Sequence, residues 1–299
     1  MKFPTKLSKN TTGTSFSGFD TFSTAASDTR RNLVYDPKFY QITVALPLDE
    51  LSANQTEAQV LDLARIEMAS SGQDMADDLG TIFYGDGTGN SSKDPLGLEG
   101  LVDDGTNTAT IGGLTRADFA GSVLDSTVTA SGGTLTLAKM ATLYTNVRSG
   151  SIKPTAGYTT EAVFDFYEQL LQPQERIQKD VPMMKGGLTG GTGFTALHYK
   201  GFPILADEKA TSQVLYFLNE DFLDWYALPM AMTESAKFRS QDIEGNDYSE
   251  VMGLGFSWSG WIKPSNAAGV IGHIYFGGEF VQTNPKRSGK LTGITGVQS

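Results

Sequence analysis

The sequence predicts a mixed α+β chain, and three patterns carry that prediction. Apolar residues at helical spacing run through Val60, Leu61, Ala64, Met68, Met75, Leu79, Ile82 and Phe83. Strand-like and helix-like segments alternate between residues 135 and 228, which is the pattern of an α/β unit. From Met230 onward helical spacing disappears, and alternating stretches around Val251 to Ile262 and Val270 to Phe276 predict an antiparallel sheet.

Taken in order, residues 1 to about 30 are rich in Ser, Thr and Gly, with isolated Phe3, Phe16, Phe19 and Phe22. So few aliphatic residues cannot form a core, and the segment reads as an arm that orders on a neighbour. From Leu33 to Pro47 the pattern is extended, with Tyr40, Ile42, Val44 and Leu46 on one face and Phe39, Gln41, Thr43 and Ala45 on the other. Asp36-Pro37 supplies a turn. Nothing local covers this stretch, so it either joins a later sheet or reaches onto another subunit; Phe39, Tyr40, Ile42 and Val44 are inter-subunit contact candidates on the second reading, with Phe16, Phe19 and Phe22 of the arm.

Thr56 and Gln59 have capping-box spacing, and the stripe that follows keeps its phase from Met68 to Met75 across Ser70-Ser71-Gly72. This predicts one continuous helix, roughly 40 Å long at 1.5 Å per residue, with Leu61, Met68, Met75 and Leu79 as its core positions. Leu135 to Arg148 is an amphipathic helix stopped by Gly150, and a second begins near Thr160 and ends before Pro173. Leu197 to Ala206 reads as strand, Gly201 turn, strand. Val214 to Leu218 is a buried strand, and Asn219 caps a short helix holding Phe222, Leu223 and Trp225.

The chain has 299 residues, enough for a core that divides into two subdomains. Its 34 glycines and 11 prolines predict many turns. The absence of cysteine excludes disulfides, thiolate zinc sites and cysteine nucleophiles. The first residues lack the apolar core of a signal peptide, and no run reaches the roughly 18 apolar residues that span a bilayer, so no membrane association is expected. The net charge of −11 sits in one place: Asp49 to Asp104 holds 13 acids against Arg65 and Lys93, while the remainder balances. An exposed segment of that kind repels nucleic acid and argues against sequence-specific DNA binding.

Signals for catalysis are lacking. His198 and His273 lie in strand patterns, and neither has a second histidine at helical spacing to make a metal pair. Gly255-Phe-Ser257-Trp-Ser259 lacks the second glycine of a nucleophile elbow. Glu161, Asp165 and Glu168 share a helix face, which a solvated surface explains. Gly85, Gly87 and Gly89 alternate in the loop after the long helix, but no Gly-Lys-Ser/Thr follows and Asp86 would repel a phosphate. Asp86, Thr88 and Asn90 have calcium-loop spacing, yet Ser91 and Gly97 stand where the turn glycine and the bidentate glutamate belong. No enzyme activity, cofactor or metal is expected.

Three segments together resemble the major capsid proteins of tailed bacteriophages, the family with the Hong Kong 97-type shell fold. They are Ile82-Phe-Tyr-Gly-Asp-Gly-Thr-Gly with Pro95-Leu-Gly-Leu-Glu-Gly-Leu101; Thr159-Thr-Glu-Ala-Val-Phe-Asp-Phe-Tyr167 with Gln172-Pro-Gln-Glu-Arg-Ile177; and Tyr199-Lys-Gly-Phe-Pro-Ile-Leu-Ala-Asp207 with Leu215-Tyr-Phe-Leu-Asn219. Their order and gaps are also similar, over roughly residues 55 to 290. The resemblance implies an N-terminal arm at 1–30, an extended E-loop at 31–55, a spine helix opening the 56–134 segment of a peripheral domain, an axial domain at 135–228, and peripheral strands at 229–299. It leaves no room for a large amino-terminal scaffolding region, and no Lys-Asn-Glu trio aligns with the family's crosslink.

The function implied is self-assembly into an icosahedral head of hexamers and pentamers, built in a bacterial host cytoplasm and enclosing double-stranded DNA in the virion without reading its sequence. Partners implied are further copies of the chain, a portal, and separate scaffold or decoration proteins. An encapsulin-like bacterial compartment shares the fold, and a β-rich surface adhesin or decoration protein is the alternative from another class.

Overall fold

The computed structural model describes residues 1–25, 29–53, 57–119, 121, 123–171, 197–228, 256–266 and 268–297, the side chains of 57–62, 130–132, 256 and 297 excepted. In chain order the strands are β1 (Lys2–Lys6), β2 (Arg30–Val34), β3 (Lys38–Pro47), β4 (Thr110–Ile111), β5 (Leu114–Thr115), β6 (Thr127–Leu135), β7 (Ala156–Thr159), β8 (Leu197–Tyr199), β9 (Phe202–Ala206), β10 (Leu215–Leu218), β11 (Leu223–Ala227), β12 (Phe256–Trp258), β13 (Gly269–Gln282) and β14 (Gly289–Val297). The helices are α1 (Leu48–Ala53), α2 (Glu57–Phe83), the short turn α3 (Gly89–Ser92), α4 (Leu98–Leu101), α5 (Leu137–Val147) and α6 (Glu161–Leu171). The chain divides into two compact units: residues 35–98 with 224–281, and residues 2–34 with 99–223 and 282 onward.

In the first unit the expected long helix is present as one element, α2, unbroken across Ser70-Ser71-Gly72. Its Met75 and Leu79 are buried in a cluster with Val44, Trp258, Ile274 and Phe276, and Met68, Ile82 and Phe83 pack against that cluster from the same helix. A four-stranded sheet supplies the other wall. β13 pairs antiparallel with β3 over the full length of β3, Val44 opposite Gly272, and with β12, Ser257 opposite Tyr275. β11 also borders β13. Trp225 stacks on Phe276 with ring centroids 5.1 Å apart, and Phe83 meets Phe280 edge-on at 4.9 Å. Such aromatic pairs add about 0.5–1.5 kcal/mol beyond their burial.

The second unit is built on a six-stranded mixed sheet in the order β6-β14-β10-β7-β9-β8. β6 with β14 and β7 with β9 are parallel; β10 is antiparallel to both its neighbours, and β8 to β9. The α5 stripe of Met140, Leu143, Tyr144 and Val147 and the α6 residues Val163 and Tyr167 bury against Phe202, Ile204, Leu215, Phe217, Leu291 and Ile294. Thr136 caps α5, its hydroxyl oxygen accepting the Lys139 N–H at 3.2 Å, a bond of the kind worth about 1 kcal/mol. The β8–β9 turn falls where Gly201 predicts it, with Lys200 and Gly201 at φ of 47° and 93°.

Four expectations need correction. Residues 1–30 are not a bare arm, because β1 pairs antiparallel with β2, Phe3 opposite Leu33. Residues 33–47 are not one extended stretch: β2 pairs β1, while β3 joins a later sheet through β13, the first of the two expected alternatives, so Asp36-Pro37 separates two elements with different partners. Trp225 lies on strand β11; Asn219 caps only the 3-10 turn Glu220–Phe222, its side-chain oxygen accepting the Asp221 N–H at 3.0 Å. Lastly, β14 joins the six-stranded sheet instead of the sheet around β13, beside β6 and β10. The segments Gln172–Ile177 and 229–255 lie outside the described residues.

Candidate functional site

The histidines and the elbow-like serines lie in or beside strands, Ser257 on β12 with its hydroxyl buried. His273 lies on β13 with its Nδ1 3.0 Å from the Thr43 hydroxyl, while His198 on β8 accepts the Tyr167 hydroxyl through its backbone carbonyl at 3.0 Å. Ser259, which stands where the second glycine of an elbow would be, accepts the backbone N–H of His273 at 2.8 Å and donates to the Gly260 carbonyl. That uses the hydroxyl in main-chain bonds. Glu161, Asp165 and Glu168 are exposed on α6. Among the described residues no group of three or more metal-ligating side chains occurs, and no helix is long and apolar enough to cross a membrane.

The glycine-rich loop after α2 is shaped by its own side chains. The Asp86 carboxylate accepts the Thr88 hydroxyl at 2.7 Å and the Thr88 N–H at 3.0 Å, and these two bonds hold its pKa below the ordinary value. Asn90, Ser91 and Ser92 follow in left-handed conformation, with φ of 49°, 60° and 63°. Asn90 donates to Asp94 at 2.7 Å, and Lys38 donates to the Ser92 carbonyl at 3.0 Å. No anion cradle results, since Asp86 fills the turn with its own charge. At Gly97 a Cβ would come within 2.5–2.6 Å of the carbonyls of Gly85, Ile82 and Phe83. Gly97→Ala is therefore expected to destabilise the protein by about 2–3 kcal/mol through backbone displacement, read as a lower urea midpoint; an unchanged midpoint would show that the helix end yields freely.

The second unit contains a buried polar centre that sequence reasoning missed. Arg116 is only 1 % exposed. Its Nη1 donates to the carbonyls of Asp103, at 2.6 Å, and Leu124, and its Nη2 to those of Gly100 and Leu101 at 3.0 and 3.1 Å. The planar fork of a guanidinium suits this gathering of carbonyls from two stretches of chain, 100–103 and Leu124. Beside it the Asp103 carboxylate accepts the N–H groups of Thr108, Gly105 and Asn107 at 2.9–3.1 Å, and Lys290 lies 3.6 Å away, itself donating to the Glu99 carbonyl at 2.9 Å. Burial opposes the Asp103 charge, but the Thr108 and Gly105 bonds, Lys290 and Asn107 together hold its pKa below the ordinary value. Burial likewise pushes Lys290 down, against the pull of Asp103 and Glu99. Asp103 thus does not belong to a solvated acidic surface, whereas Asp74, Asp77, Asp78 and Asp104 are exposed. The run Asp103-Asp-Gly-Thr-Asn107 has the composition of side-chain-capped turns, and that was the available signal.

The proposed contact residues separate into two groups. Phe16 and Phe22 are 66 % and 62 % exposed, their rings edge-on at 5.1 Å, and Phe19 is fully exposed. Phe39 is 48 % exposed. Val44, by contrast, is 1 % exposed within the chain's own core, where Tyr40 and Ile42 also pack. Val44 is thus covered within the chain, while Tyr40 and Ile42 are half-buried against the same cluster. Of the α2 residues singled out, Met75 and Leu79 are buried and Met68 packs on them; the side chain of Leu61 lies outside the described residues.

By sequence, no protein-family signature and no curated protein matches the chain. By structure it is similar to the cyanophage A-1(L) capsid subunit, with a TM-score of 0.63 and 12 % identity over 99 % of this chain and 88 % of that one. It is similar to the SrpI encapsulin of Synechococcus elongatus, with a TM-score of 0.59 and 10 % identity over 91 % of this chain and 79 % of that one. The capsid protein of an empty GTA particle matches with a TM-score of 0.52 and 10 % identity over 98 % and 85 % of the two chains. The α+β architecture of this chain is the Hong Kong 97-like fold that these capsid and encapsulin subunits share.

Proposed function

We propose that the chain is a shell subunit, specifically the major capsid protein of a tailed bacteriophage, which assembles with copies of itself as hexamers and pentamers into an icosahedral head around double-stranded DNA. The observation that carries this reading is the match of fold along nearly the whole chain to a phage capsid subunit. On this reading α2 is the spine helix, the six-stranded unit is the axial domain and the unit around β13 is the peripheral domain. Assembly takes place in the bacterial cytoplasm, with a portal and separate scaffold or decoration proteins as further partners. The exposed acids between Asp49 and Asp104 would face packaged DNA without adhering to it.

A compartment shell is the second reading, favoured by the encapsulin likeness; an adhesin or separate decoration protein finds no support in this fold. Electron microscopy of the purified protein tests the shell, and nuclease-protected DNA in particles from the native producer separates a virus from a protein-filled compartment. Monodisperse monomers under all conditions would end both readings.

Phe16, Phe19 and Phe22 are the assembly contacts on this proposal, each able to contribute about 1.5–3 kcal/mol on burial before ordering costs. Replacing all three by Ser is expected to leave the thermal midpoint within about 2 °C, because the rings are exposed in the subunit. The concentration needed for shell formation in sedimentation assays should rise at least about tenfold. Normal shell yield from the triple variant would remove these residues from the interface.

A further inference from the structure

The glycine-rich loop rests on a buried acid. Glu279, on β13, is 3 % exposed, and its Oε1 accepts the Leu96 backbone N–H at 2.8 Å, across a sequence separation of 183 residues. Leu96 follows Pro95 and precedes Gly97 and Leu98, which are all buried, whereas residues 88–93 are exposed. The loop therefore has an exposed tip and a buried return limb. The tip also holds three consecutive non-glycine residues in left-handed conformation, an arrangement that costs on the order of 1 kcal/mol or more per residue and persists only where other contacts enforce it. Two contacts from outside the loop are the Glu279 bond to Leu96 and the Lys38 bond to Ser92.

We propose that Glu279 is a proton-operated latch on residues 84–97, holding the loop closed when its carboxyl is neutral and loosening it when the carboxyl is charged. This inference concerns the fold of one subunit and does not rest on the shell reading. A neutral carboxyl keeps a carbonyl oxygen for the Leu96 N–H, so closure retains its bond without a buried charge. Ionisation places a carboxylate in a buried site where the Leu96 and Phe280 N–H groups and Lys38 only partly offset its lost hydration, and local opening lets that charge reach water.

The charged groups around this site are accounted for. Lys38 attracts a charged Glu279 and Asp36 repels it. On the loop, Asp86 is engaged by Thr88 and Asp94 by Asn90; Lys93 is exposed. On α2, Asp78 accepts the Tyr40 hydroxyl at 2.7 Å, and Asp224 on β11 is exposed. Burial is the largest influence and, against the Leu96 and Phe280 N–H bonds and Lys38, pushes the Glu279 pKa from 4.5 up to about 7. The closed loop therefore binds the proton more tightly than the open one. Closure is unaffected by pH below about 4.5, weakens progressively as pH rises to about 7, and is constant above that, so protection should fall on the order of 50-fold between pH 5 and pH 7.5.

Amide hydrogen exchange on the full chain, with rates corrected for their intrinsic pH dependence, tests this. Peptides covering 84–97 should lose protection by roughly that factor between pH 5 and 7.5, while β10 peptides do not. In Glu279→Gln, which keeps an acceptor oxygen and cannot ionise, loop protection should be the same at both pH values. Equal protection of the wild-type loop at the two pH values overturns the latch, as does a Glu279→Gln loop that follows the wild-type pH dependence. Circular dichroism establishes that the variant is folded. If it is not, the wild-type chain decides alone: a loss confined to 84–97 supports the latch, and an equal loss across β13 and α2 overturns it.

Discussion

Replacing Arg116 by Ala is expected to abolish the folded state of the six-stranded unit. The guanidinium is buried and donates to four backbone carbonyls, from Gly100, Leu101, Asp103 and Leu124. Its loss strands those oxygens away from water, and each unsatisfied buried polar group costs about 1–3 kcal/mol. Together with the cavity, that rivals the roughly 5–15 kcal/mol by which domains are stable. Arg116→Lys restores the charge but not the fork, because one ammonium cannot reach carbonyls spread around a planar group; its cost should be about 3 kcal/mol or more. Urea denaturation followed by circular dichroism reads both variants. A normal, cooperative transition in Arg116→Ala would mean that water replaces the guanidinium at little cost, and that the centre is incidental to stability.

Deleting residues 34–46 behind a short Gly-Ser bridge is expected to unfold the unit around β13, before any effect on assembly is seen. β3 is paired with β13 along all 10 of its residues. Val44 and Leu46 are buried, and Tyr40 and Ile42 pack, half-buried, against the cluster that holds Met75, Leu79 and Phe276. At about 1.5–3 kcal/mol for each large side chain fully removed from water, the loss is of the same order as the whole stability of a domain. The expected outcome is aggregated protein or a melt without a cooperative transition. A deleted chain that melts like its parent but forms no shells would return β3 to an assembly role. Phe39→Ser is the control, since this half-exposed ring is outside the buried cluster; it should shift the melting midpoint by less than about 3 °C.

The sequence by itself determined the elements whose signal is local. The apolar phase preserved between Met68 and Met75 marks α2 as one helix, the amphipathic stripe before Gly150 marks α5, and the run Leu215-Tyr-Phe-Leu218 identifies a strand buried on both faces. The glycine-rich stretch from Gly85 to Gly97 was legible as a loop, but its left-handed residues are Gly87, Asn90, Ser91 and Ser92. Spacing records which side of an element is apolar, because 3.6 and 2 residues are the periods of the backbone itself.

Only the tertiary structure decided what those faces meet. The alternation in β3 was visible, but which of its two readings held, a later sheet or a neighbouring subunit, was decided only by the β13 ladder and the packing of Val44 on α2. β14 reads as a strand of either sheet until its ladder with β6 and β10 is seen. Asp103 and Glu279 look like ordinary surface acids until folding brings Arg116 and Lys290 beside one and the Leu96 N–H to the other. Most of these pairings join residues far apart in sequence, and no periodicity encodes a partner at that distance. The choice rests on burial and hydrogen bonding, which exist only once the chain has closed on itself.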